Sequence, residues 1–66
     1  MKNTVRVERA ILDITQQQLA EAIGVSRNTI NYIESGRYIP STVLALKISK
    51  YFGKPTDSIF QLDEND

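Results

Sequence analysis

The sequence predicts an all-α chain of five short helices, and three observations carry that prediction. Helix-start chemistry recurs in Thr15-Gln16-Gln17-Gln18, at Ser26 and at Ser41, where a hydroxyl can accept from the unpaired N–H groups of a first turn. Helix-stop residues follow each apolar stretch, at Gly24, Gly36, Pro40, Gly53 and Pro55. Alternation of apolar and polar residues, the mark of a half-buried strand, is confined to Thr4-Val5-Arg6-Val7-Glu8.

The first helix is expected from about Asn3 to Asp13. Its apolar residues Val5, Val7, Ala10, Ile11 and Leu12 define no single clean face, and a short strand at the N-terminus is the alternative there. Thr15 opens the second helix, with Gln18 three residues on to complete a capping box. That helix runs to about Ile23, and Gly24 stands where a left-handed residue ends it. Ser26 caps a third helix that ends near Ser35-Gly36. Arg37-Tyr38-Ile39-Pro40 is a loop, since proline is excluded from a helix interior. Ser41 caps the fourth helix, with Leu44, Ala45, Ile48 and Phe52 at helical spacing and a stop at Gly53. Thr56 is placed to cap a last short helix, and the acidic end, Asp63-Glu64-Asn65-Asp66, is expected to fray.

Composition narrows the function classes. Sixty-six residues form one domain, 1–66, with a thin core. There is no cysteine and no histidine, so zinc sites, thiol chemistry and Ser-His catalysis are excluded. No paired carboxylates suggest an enzyme, and no cofactor, metal or small-molecule ligand is implied. The absence of an export signal and of an apolar run near the ~18 residues of a membrane span points to the cytoplasm. Net charge is zero, but it is segregated: residues 1–56 hold all eight bases against four acids, for +4, and residues 57–66 hold four acids. A basic body with an acidic tail still offers a positive face to phosphates.

The segment from Gln16 to Glu34 carries the function. Leu19 and Ile23 form one face of the second helix, Ile30 and Ile33 one face of the third, and Val25 plugs a turn of only Gly24, Val25 and Ser26. Ala20 is small where the helices approach closely. These are the steric needs of a helix-turn-helix. With Ile30 and Ile33 turned inward, a rotation of ~100° per residue puts Asn28, Asn31, Tyr32 and Ser35 on the outward side, with Arg27 in the first turn. Arginine, asparagine, serine and tyrosine are side chains that read base edges or hold phosphates, where a merely soluble helix more often carries Glu and Lys.

The chain here resembles the Cro/CI-type helix-turn-helix family, also called the XRE family, in its short stand-alone members. The resemblance runs through Thr15-Gln16-Gln17-Gln18-Leu19-Ala20, Gly24-Val25-Ser26-Arg27, Ile33 through Ser41, and Leu44-Ala45-Leu46-Lys47-Ile48. It implies a five-helix, lambda-repressor-like domain with room for a short terminal pair of strands, binding double-stranded DNA with the third helix in the major groove. By position, Gln16 matches a backbone-contacting glutamine, and Ser26, Arg27, Asn28 and Tyr32 match positions that meet base edges. Gln17, Thr29 and Asn31 are expected near the backbone, as are Arg37, Tyr38 and Ser41. Ser26 has the alternative role of a cap only, Tyr32 of a cover for the helix, and Arg37 of an ordinary surface arginine. Arg9 and Glu34 match a structural ion pair. Glu8 departs from the family, where many members are apolar.

A single recognition helix buries little surface, whereas a two-fold dimer reads two half-sites ~34 Å apart. The resemblance therefore implies a homodimer on a palindromic operator, acting as a transcriptional regulator of repressor type. Residues 57–66 are the expected dimerisation segment, through Ile59, Phe60 and Leu62; the competing role of these three is to close the monomer core. The rival functions are an antitoxin that also represses its own promoter and a protein-interaction module without DNA binding.

Overall fold

A computed structural model describes residues 1–66. In chain order it contains β1 (Lys2–Asn3), α1 (Val5–Leu12), α2 (Gln16–Ile23), α3 (Arg27–Glu34), α4 (Thr42–Phe52), α5 (Thr56–Ile59) and β2 (Phe60–Gln61). The five expected helices are present, and the terminal strands pair antiparallel with Lys2 opposite Gln61 and Asn3 opposite Phe60.

Capping explains the boundaries. At α2 the Thr15 hydroxyl accepts from the Gln18 N–H at 3.0 Å while Gln18 Oε1 accepts from the Thr15 N–H at 2.8 Å, the reciprocal box that its sequence predicts. Gly24 ends α2 with φ 78°, a left-handed conformation that a Cβ would strain. Ser26 and Ser41 cap α3 and α4 by accepting from Thr29 and Leu44, each at 3.2 Å.

Four expectations change. The first helix begins at Val5 rather than Asn3, because Asn3 is drawn into the strand pair and the Thr4 N–H donates to the Ile59 carbonyl at 2.9 Å. It ends at Leu12, with Asp13 as a left-handed cap at φ 55°. Thr56 does not cap α5: Pro55 takes that position, and the Thr56 hydroxyl instead donates to Ser49 Oγ at 3.2 Å. The acidic end is tied down, since the Met1 ammonium donates to Asp63 and Asp66 at 3.1 Å each. The Asn65 backbone N–H and then that ammonium hold the Asp63 carboxyl below its ordinary range.

One core joins all five helices: Val5 of α1, Leu19, Ala20 and Ile23 of α2, Ile30 and Ile33 of α3, Leu44 and Ile48 of α4, and Ile59 with Phe60 at the C-terminal end. Ile59 is fully buried and Phe60 is 7% exposed, so both close the chain's own core, and of the three residues expected at a dimer interface only Leu62, 79% exposed, stays on the surface. α1 is unusual. Its Val7 and Ile11 point outward, 55% and 65% exposed, while Glu8 is buried and bonds Lys54 Nζ at 2.8 Å.

Candidate nucleic-acid interface

The site is assembled by the packing of α3 against α2. Ile30 and Ile33 are buried, and that fixes which side of α3 remains outside. Arg27, Asn28, Asn31 and Tyr32 are exposed on the remaining side. The side chains of Arg27 and Asn28 make no hydrogen bond or ion pair within the chain, so their donors and acceptors are free for a ligand. Ser26 and Thr29 differ, because their hydroxyls are bonded to each other at 2.9 Å and Ser26 also caps the helix.

The start of α2 stands beside this face. Gln16, Gln17 and Arg27 line one open cleft of about 570 Å³ together with Arg9, Asp13, Ile14 and Thr15. The backbone N–H groups of Gln16 and Gln17 precede the first intrahelical bond of α2 and point from its positive end. The Gln17 amide is turned along its own helix to Glu21 Oε1 at 2.9 Å. Gln16 bridges the two helices: its Nε2 donates to Glu34 Oε1 at 3.1 Å and reaches Asn31 Oδ1 at 3.5 Å.

Glu34 is the anchor beneath the site. Its side chain is 1% exposed. It accepts from Arg9 Nε at 2.6 Å and Nη2 at 3.0 Å, a forked pair that links α1 to the end of α3. Arg9 Nη1 also donates to the Ile14 carbonyl at 2.9 Å, pinning the turn into α2. Burial alone would push the Glu34 carboxyl up; the hydrogen bonds from Arg9 and Gln16, with the charges of Arg9 and Arg6, more than offset it and leave it below the ordinary carboxylate range. Glu34 in turn holds the Arg9 guanidinium above its usual value.

Past α3, Gly36 turns with φ 79°, and the N–H groups of Arg37 and Tyr38 both donate to the Tyr32 carbonyl, at 2.9 and 3.2 Å. This folds the loop back over the end of α3 and leaves both side chains exposed. Ser41 is exposed but its hydroxyl is engaged as the cap of α4. The structure thus brings Gln16, Gln17 and Arg27 to one cleft, with Asn31 joined to it through Gln16, and sets Arg37 and Tyr38 on the loop after α3.

Three contacts that support this arrangement were missed in the sequence. They are the Gln16–Glu34 bond, the Glu8–Lys54 pair, and a bond from Asn3 Nδ2 to the Ile33 carbonyl at 2.8 Å, which ties the strand to the last turn of α3 at a carbonyl that also accepts from the Gly36 N–H. No sequence spacing signals any of them, because their partners lie 18 to 46 positions apart.

Comparison with known proteins agrees with the geometry. A helix-turn-helix family model matches residues 5–59. An HTH-type transcriptional regulator of Methanocaldococcus jannaschii is 46% identical over 66 residues, covering 100% of each chain. The HTH-type transcriptional regulator YgzD of Bacillus subtilis is 45% identical over 64 residues, 97% of each. More distantly, the cryptic phage CTXphi transcriptional repressor RstR of Vibrio cholerae is 35% identical over 65 residues, 91% of this chain and 56% of its own.

Proposed function

The chain belongs to the Cro/CI-type, or XRE, helix-turn-helix family, and we propose that it is a cytoplasmic, sequence-specific DNA-binding repressor that reads a palindromic operator as a homodimer. The observation that carries this reading is the outward face of α3: Arg27 and Asn28 are exposed and unpartnered at the N-terminal turn of a helix whose opposite side is locked into the core.

In this reading α3 enters the major groove. Arg27 donates two hydrogen bonds to guanine O6 and N7, and Asn28 pairs with adenine N6 and N7. Tyr32, one turn along, covers the next step. The free N–H groups at the start of α2 hold a phosphate, and the loop of Arg37 and Tyr38 follows the sugar-phosphate backbone. Ser26, Thr29 and Ser41 act mainly by shaping the helix starts, since their hydroxyls are engaged within the chain or, for Thr29, paired to Ser26. A second copy joins through the C-terminal end, where Leu62 is exposed, and occupancy of a promoter by the dimer blocks transcription without further parts.

The test is selection of bound fragments from genomic DNA, followed by titration of the best fragment and of random duplex over a salt series. A palindrome bound ~10³-fold or more above random DNA supports the reading. If no fragment exceeds random duplex, sequence-specific binding is ruled out and the role passes to a protein partner, for which exposed Val7 and Ile11 of α1 are the first surface to probe.

A further inference from the structure

We infer that Arg6, on α1 and outside the two-helix motif, is a DNA-phosphate contact that widens the binding surface beyond α2, α3 and the loop after them. The inference rests on the proposed reading that α2 and α3 face DNA.

Position is the first argument. Arg6 Nε lies 3.8 Å from Glu34 Oε1, the same oxygen that accepts from Gln16 Nε2 at 3.1 Å. The Arg6 guanidinium is therefore a close neighbour of the Gln16 amide, at the edge where the start of α2 meets the end of α3. A DNA strand lying along Gln16 passes this group.

Availability is the second. Arg6 is 78% exposed in its side chain and makes no hydrogen bond, its approach to Glu34 being too long for one. Arg9 and Gln16 already occupy the Glu34 carboxylate with three bonds. One carboxylate thus faces two guanidiniums, of which Arg9 is spent on the fold and Arg6 is not. The surplus positive charge and all five donors of Arg6 point to an anionic ligand. A guanidinium held loosely above a buried carboxylate gives up little to reach a phosphate.

Arg6→Ala and Arg6→Glu are to be titrated beside wild type against the best-bound genomic fragment and random duplex over a salt series. Lys50→Ala serves as control for net charge alone, because Lys50 lines the separate groove between α2 and α4. A phosphate contact carries no sequence information, so Arg6→Ala should weaken both duplexes by the same factor, roughly three- to tenfold, and reduce the salt slope by about 0.9 per bound subunit, about 1.8 for a dimer. Arg6→Glu should weaken both further, and melting temperatures should stay near wild type. Unchanged affinity and slope in Arg6→Ala, or an equal loss in Lys50→Ala, overturns the inference. So does a loss of affinity that tracks a loss of helical signal, which places Arg6 in the fold. If wild type itself binds no duplex, the underlying reading fails as well, and that is read directly from the wild-type titration.

Discussion

The Gln16 side chain of α2 donates to the Glu34 carboxylate at the end of α3 across 3.1 Å, so the residue expected at the DNA backbone is fastened to the same buried group that binds Arg9. A single carboxylate thereby sets the relation between α1, α2 and α3. Truncating Arg9 leaves that carboxylate without its forked partner, and Arg9→Ala should cost about 3–5 kcal/mol. In a chain of this size such a loss is most of the stability. Urea titration followed by circular dichroism measures it, and a change below 1 kcal/mol would refute the anchoring role.

The same group predicts acid sensitivity. Its folded value lies below the ordinary 4.5, so the ionised form is favoured by folding. That contribution is complete above the ordinary value and is lost as pH falls through the lowered value of the folded state. Glu34→Gln does not titrate there. The stability gap between wild type and Glu34→Gln should therefore narrow from neutral pH into the acid range, and a gap that is constant with pH contradicts the assignment.

Arg27 is the cleanest probe of base reading, because its exposed side chain makes no hydrogen bond or ion pair within the chain. Arg27→Ala should leave the melting temperature within the small range of surface substitutions and should lower discrimination between operator and its single-base variants by ~1–3 kcal/mol at one position of each half-site. Equal weakening on every sequence would instead make Arg27 a phosphate contact.

Leu62 and Phe60 separate association from folding. Phe60 is buried, and Phe60→Ala should destabilise the subunit by ~3–5 kcal/mol. Leu62, 79% exposed, has no such role, so Leu62→Asp should keep the helical signal and shift sedimentation from dimer to monomer. A Leu62→Asp dimer of unchanged stability would move the interface to another exposed apolar surface, such as Val43 and Leu46 of α4.

Asp13 carries a positive φ of 55° with no side-chain bond to compensate. Asp13→Gly should relieve that conformation, and the gain is offset in part by glycine's greater freedom in the unfolded chain. The expected net is a rise in stability of up to ~1 kcal/mol, measured by thermal melting; a fall would mean that Asp13 contributes something beyond its backbone.

Local chemistry in the sequence by itself determined the starts of α2, α3 and α4 and the stops of α2 and α4, because Thr15, Ser26, Ser41, Gly24 and Gly53 act on their own backbone neighbours within four residues. It also determined the outward face of α3, since burying Ile30 and Ile33 leaves Arg27, Asn28 and Asn31 on the far side of a helix of fixed pitch. The tertiary structure alone decided what depends on distant partners. It turned α1 so that charged Glu8 and Arg9 face inward to Lys54 and Glu34 while Val7 and Ile11 face out, an orientation that the scattered apolar residues of this helix do not define. It also drew Asn3 from a helix into a strand by pairing it with Phe60, and committed Phe60 to the subunit's own core. Periodicity reports which residues share a face; whether that face meets a core, a carboxylate or solvent is set by residues that only folding brings near.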